Sequence, residues 1–176
     1  MECGIFIVYG NNIDMAVKGM YSEMVGIRSW RYFMKISTKG RYALRLMLDL
    51  ATNGTGSPIS VKDIAERQGI SDKYLEQIIA MLNKAGFVRS IRGAQGGYML
   101  SKTPEEYTVG MILRLAEGNL APASCVQEGE APCERADKCG TAPLWRKIND
   151  AVNGVIDTTT LQDLMNWQQS ENKEGK

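Results

Sequence analysis

From position 37 onward the chain alternates between runs with a helical hydrophobic period and short polar or glycine-bearing breaks. Tyr42, Leu46, Met47, Leu50 and Ala51 recur at spacings of three and four, which places them on one helical face, and Asn53-Gly54 ends the run. Pro58-Ile59-Ser60 leads into a second helix with Val61, Ile64 and Ala65 on its apolar side. Ser60 and Asp63 have the Ser-x-x-acid spacing of a capping box. Gln68-Gly69-Ile70-Ser71 is a short turn, and Ser71 is placed to cap a third helix with the stripe Leu75, Ile78, Ile79 and Leu82. That helix ends at Ala85-Gly86, where glycine supplies a left-handed residue. Phe87-Val88-Arg89-Ser90-Ile91 and Tyr98-Met99-Leu100 then read as two short strands around the turn Gly93-Ala94-Gln95-Gly96-Gly97. Helix, turn, helix and a glycine-rich basic tip predict a winged helix-turn-helix, the helical pair near residues 61–84 and the wing near 87–100.

The second half has a different texture. Thr108 is placed to cap a helix with Val109, Ile112, Leu113 and Ala116 on one face and Gly118 after it. Residues 119–141 lose all periodicity and read as a loop. Beyond it Leu144, Ile148, Ala151, Val152, Val155 and Ile156 mark a helix of about four turns, whose stripe has no obvious home in so small a domain. Thr160 with Asp163 repeats the capping-box spacing and opens a short last helix through Leu161, Leu164 and Trp167, with a disordered polar tail over 169–176. Residues 1–33 show no sustained period and read as an extension outside the fold. The expectation is a mainly α chain in these parts: 1–33 extension, 34–102 winged head, 103–141 connecting helix and loop, 142–168 long helix and last helix, 169–176 tail.

Composition is that of a soluble globular protein, 44% hydrophobic and 23% charged. Its net charge of +1 hides an asymmetry. Residues 34–102 carry 11 basic and 5 acidic side chains, whereas residues 103–176 carry 7 and 12. A basic head followed by an acidic half suits a polyanion-binding module with a separate second function. The chain lacks an apolar run of membrane-spanning length and a secretory signal pattern, so a cytoplasmic protein with reduced thiols and no membrane partner is expected.

Exposed positions of the third helix would include Lys73, Tyr74, Glu76 and Gln77. Gln77 can pair bidentately with adenine, and Glu76 can accept from a cytosine amino group. Arg92 and Gly93 at the wing tip suit an arginine placed in a minor groove and close backbone approach. Lys35, Lys39, Arg41 and Arg89 would supply phosphate contacts.

Cys125, Cys133 and Cys139 fall within fifteen residues of a chain that has no histidine. The Cys-x7-Cys-x5-Cys spacing lacks the close pairs of zinc ribbons and fits an iron–sulfur cluster on a flexible loop, with a thiol redox switch as the alternative. Without histidine the usual activation of a catalytic cysteine is impossible, and neither an enzyme nor a small-molecule substrate is expected.

The stretches Met34-Lys35-Ile36-Ser37-Thr38-Lys39-Gly40-Arg41-Tyr42-Ala43, Ile64-Ala65-Glu66-Arg67-Gln68-Gly69-Ile70-Ser71, Tyr74-Leu75-Glu76-Gln77 and Arg92-Gly93-Ala94-Gln95-Gly96-Gly97-Tyr98 closely resemble the Rrf2 family of bacterial winged-helix regulators. The resemblance runs from residue 34 to about 168. It implies a homodimer on a palindromic operator in double-stranded DNA, often as a repressor. It makes Leu144, Ile148, Val152, Val155 and Ile156 the dimerisation stripe. In the iron–sulfur members, positions matching Glu76, Gln77 and Arg92 take part in operator recognition and the three cysteines bind a 2Fe–2S or 4Fe–4S cluster. A cysteine-metabolism member lacks the triplet and works through a partner protein. Two familiar fourth-ligand positions fall here on Ala142 and Arg41, neither able to ligate iron; Glu128, Glu130, Glu134 and Asp137 are nearby substitutes, a residue reached across the dimer is another, and Cys3 is given little weight.

Overall fold

Ser37 starts the fold. In the computed structural model, which describes residues 35–174 apart from residues 55, 94 and 130–132, its hydroxyl accepts from the amides of Lys39 and Gly40 and so caps α1 (Thr38–Asn53). The extension 1–33, Cys3, Glu130 and the end of the tail lie outside the described residues. Ser60 caps α2 (Val61–Gln68) by accepting from the Asp63 amide, the amide half of the expected box. Ser71 does the same for α3 (Asp72–Lys84) through the Tyr74 amide, and Gly86 follows it at φ 75°. Each cap satisfies an amide that has no partner inside its own helix.

The stripes predicted from periodicity meet in one core. Ala43, Leu46, Met47 and Leu50 of α1 pack with Ile64 of α2 and with Leu75, Ile78, Ile79 and Leu82 of α3. β1 (Val88–Ile91) and β2 (Gly97–Leu100) are antiparallel, with Val88 opposite Leu100 and Ile91 opposite Gly97. Ile59 pairs with Tyr98 through two backbone bonds of 3.0 and 2.8 Å, which joins the segment before α2 to the wing. A Cβ at position 97 would collide with the Ile59 carbonyl, so only glycine admits this close approach. This is a winged helix-turn-helix, as the sequence predicts.

Two fastenings lie beyond the reach of local sequence pattern. Asp49, 3% exposed, accepts from Arg67 through both carboxylate oxygens and from Gln68 at 2.8 Å, which pins α2 to α1. This pairing raises the Arg67 guanidinium above its ordinary value. Tyr107 is buried between a turn at Pro104–Glu106 and α4 (Val109–Glu117). Its hydroxyl donates to the Phe87 carbonyl at 2.7 Å and accepts from the Lys102 amide, so it ties α4 to the wing; burial pushes the phenol above its usual range.

Thr108 caps α4 through the Met111 amide. After the loop come α5 (Ala142–Ile156) and α6 (Leu161–Glu174), the latter opened by a complete Thr160–Asp163 capping box. α6 lays Leu161 and Leu164 against the core beside α1. It runs on to Glu174, past the stop expected near Trp167. Residues 168–174 contain neither glycine nor proline and include Gln, Glu and Lys, which propagate a helix readily without apolar spacing.

Candidate functional site

The start of α1 and the start of α3 meet through Tyr42 and Tyr74, whose rings pack edge-on with centroids 5.8 Å apart. The Arg45 guanidinium lies 5.6 Å over the Tyr42 ring. Neighbouring helix starts therefore carry Lys39, Arg41 and Arg45 on one side and Lys73 on the other, all exposed. Glu76 and Gln77 are also exposed, on the second turn of α3. Tyr74 is half-buried, so it is a held ring rather than a freely reaching side chain. Arg41 bonds back to the Ser37 carbonyl and the Thr38 hydroxyl. Arg92 and Gly93 sit exposed at the wing tip, Gly93 at φ 127°. Lys35 and Arg89 are exposed as well. The face is basic and polar, with one carboxylate, Glu76, among the candidates for base readout.

Residues 119–141 are shaped by two single turns, Ser124–Val126 and Ala136–Lys138. Cys125 sits in the first. Cys133 precedes the second, its carbonyl accepting from the Ala136 amide, and Cys139 follows it. All three carry free thiols. They line one cleft of about 390 Å³, whose other wall is α5 through Ala142, Arg146, Asn149 and Asp150. The Cys139 sulfur lies 3.2 Å from the Thr141 hydroxyl. That contact, with the Thr141 and Ala142 amides at the start of α5, holds the Cys139 thiol below the usual thiol range.

Among the described residues, no three Cys, Asp or Glu side chains converge closely enough for a single ion. Three thiolates around one cleft suit a cluster, whose protein ligands are shared among two or four irons instead of gathered on one ion. Glu128 and Asp150 are the carboxylates on the cleft wall; Glu134 and Asp137 are exposed and lie off it. Asp150 was missed by proximity in sequence. The polar side of α5, read as 142, 146, 149 and 150 opposite the apolar stripe, is the signal that points to it.

That apolar stripe is open. Leu144 and Val155 are 51% and 64% exposed, Ile148, Val152 and Ile156 are half-buried, and α5 has no fully buried residue. α5 is tied to α4 instead by polar bonds. Arg114 donates to Asn153 at 2.8 Å and to both carboxylate oxygens of Asp157, which holds the Asp157 carboxyl below its ordinary value.

A family model described as Rrf2, iron-dependent transcriptional regulator, matches residues 36–167. The chain is similar to the transcriptional regulator CymR of Bacillus subtilis, 46% identical over 138 residues that make up 78% of this chain and 94% of the relative. It is similar to the regulator IscR of Escherichia coli, 40% identical over 136 residues, 77% of this chain and 83% of that one. Among solved structures it resembles B. subtilis CymR, titled the global cysteine regulator, with a TM-score of 0.63 over 76% of this chain and 97% of that one. It also resembles T. potens IscR, 42% identical, with a TM-score of 0.61 over 75% and 86%.

Proposed function

Because the chain belongs to the Rrf2 family of transcriptional regulators of the CymR and IscR type, we propose that it is a homodimeric, cytoplasmic regulator whose operator affinity is set by an iron–sulfur cluster on Cys125, Cys133 and Cys139. The observation that carries this reading is the meeting of all three thiols on one cleft wall opposite the helix that holds the dimer stripe. When bound, such a cluster supplies a redox- and iron-responsive centre. Cys125, Cys133 and Cys139 are its thiolate ligands, and Thr141 with the start of α5 keeps Cys139 ready to ligate. Ala142 faces the same cleft but offers no donor, whereas Glu128 and Asp150 on its wall are carboxylates able to serve as the fourth ligand. Gln77 and Glu76 read base edges in the major groove, Arg92 enters the minor groove, and Lys39, Arg41 and Lys73 hold phosphates. Two copies joined along Leu144, Ile148, Val152, Val155 and Ile156 present two α3 helices to the halves of a palindrome. Loop order and dimer geometry then form a two-state equilibrium that ligation of the thiols biases.

The 46% identity to a cysteine regulator favours a second reading. In it the chain lacks a cluster and controls cysteine metabolism through a partner protein or thiol oxidation. Anaerobic purification separates the two. The cluster reading expects brown protein with iron and sulfide, both lost in Cys133→Ser together with the change in operator affinity. Colourless, iron-free protein with Cys133→Ser binding like wild type would overturn it.

A further inference from the structure

We infer that Glu117 is a positioning residue that links the cysteine loop to the phosphate-facing start of α1. The Glu117 Oε1 accepts from the Ser37 amide at 3.1 Å, the Ser37 hydroxyl at 2.7 Å and the Gly40 amide at 3.0 Å. These are the cap residue and the first turn of α1, the turn that carries Lys39 and exposes Arg41. The first turn of α1 has no acidic residue of its own, and a carboxylate there offsets the positive end of the helix dipole. The charge comes from 77 residues away. Gly40 is the matching accommodation: a Cβ on it would overlap Oε1. Glycine is a poorer helix former than alanine, and here its place is explained by the carboxylate it admits.

Glu117 is also the last residue of α4, and Gly118 at φ 82° turns the chain straight into the loop that holds Cys125. One turn earlier, Arg114 fastens α4 to Asn153 and Asp157 of α5. The final turn of α4 therefore grips the start of α1 with one side chain and the end of α5 with another. A change in the loop reaches that turn from both of its ends, through Gly118 and through α5. Beside the apolar packing of α4 on α1, the Glu117 carboxylate is the polar link from that turn to Ser37 and Gly40. This rests on the reading that the loop's state governs DNA affinity, but the link itself requires only that the loop changes shape.

Hydrogen exchange on the full chain with Cys3→Ser, so that only loop thiols react, tests it. The loop is altered in two ways, by iodoacetamide and by iron with sulfide under anaerobic conditions. In the wild-type background, iodoacetamide is expected to speed exchange of the Ser37 and Gly40 amides roughly tenfold, the scale of a lost charge-assisted bond. In Glu117→Ala the Ser37 amide is fast already and neither amide responds, Gly40 keeping its bond to the Ser37 hydroxyl, while Glu117→Gln, which keeps an acceptor, retains a reduced response. Gly40→Ala, which crowds the carboxylate out from the other side, gives the same loss of response in a helix that alanine favours. On a duplex selected in vitro by the wild-type chain, the affinity difference between the two loop states shrinks to under about twofold in Glu117→Ala. The link is overturned if loop amides change in wild type while Ser37 and Gly40 do not, or if the response persists in Glu117→Ala and Gly40→Ala. If iodoacetamide gives the expected result but iron with sulfide leaves the loop amides unchanged, the link stands and the cluster reading falls.

Discussion

A carboxylate that is almost fully buried must be paired, and Asp49 shows how much of this fold rests on one such group. Its oxygens take bonds from Arg67 and Gln68, and its side chain is 1% exposed against 40% for Arg67. Asp49→Ala leaves the guanidinium and the amide without their acceptor, so unfolding in urea should show a loss of about 2–4 kcal/mol with an unchanged slope. A loss under about 0.5 kcal/mol would show that the pair is decorative. Gln77 faces outward with no structural duty, so Gln77→Ala should leave stability intact. It should relax preference at one base pair of the operator by about 1–3 kcal/mol, measured by binding to single-base variants. These two residues also mark what could be read from sequence. Gln77 lies beside a recognisable cap and stripe, and its exposure follows from helical period alone. Asp49, Tyr107 and Glu117 each bond to a partner at least 18 positions away, up to 80 for Glu117, and no local pattern announces such a pairing.

At the scale of elements, α5 carries two jobs on two faces. Its polar face closes the cysteine cleft and its apolar face is exposed. Val155→Asp places a charge on the most exposed residue of the open stripe, and should convert a dimer to a monomer in sedimentation at micromolar concentration while circular dichroism stays unchanged. An unaltered sedimentation coefficient would remove the stripe from the interface. The polar tie to α4 has a pH signature. Arg114 holds Asp157 below its ordinary value, so the pair contributes stability that is complete above the unfolded carboxylate value and is lost as pH falls through the lower folded value. Melting temperatures of wild type and Asp157→Asn should therefore differ at pH 7 and converge below about pH 4. The gap should be small, because Asp157 is 44% exposed and solvent screens the pair. A gap that persists unchanged in acid would mean the carboxylate charge is not the cause. Helix stripes, caps and strands were legible because each is a local pattern. The end of α6 was not, since its helix continues on backbone propensity after the apolar spacing stops.

For the whole molecule, the division of charge along the chain corresponds to a division of labour. The basic winged head carries α3 and the wing, the proposed DNA-facing elements, and the acidic half holds the loop, the cleft and the open helix face. Family membership accounts for the head and the transcriptional role. The cleft lined by the three cysteines is the site on which the proposed cluster rests. Spacing disfavours zinc and leaves a cluster and a thiol switch in competition, and a cleft lined by all three thiols accommodates either. The most direct test is duplex affinity of anaerobically purified protein, measured at fixed salt before and after the metal is removed by chelation, with iron and sulfide counted in the same samples. The account predicts iron and sulfide in equal amounts and an affinity change of at least about tenfold on their removal, absent in Cys133→Ser. Protein that holds no iron, or that binds the duplex equally with and without it, would contradict it.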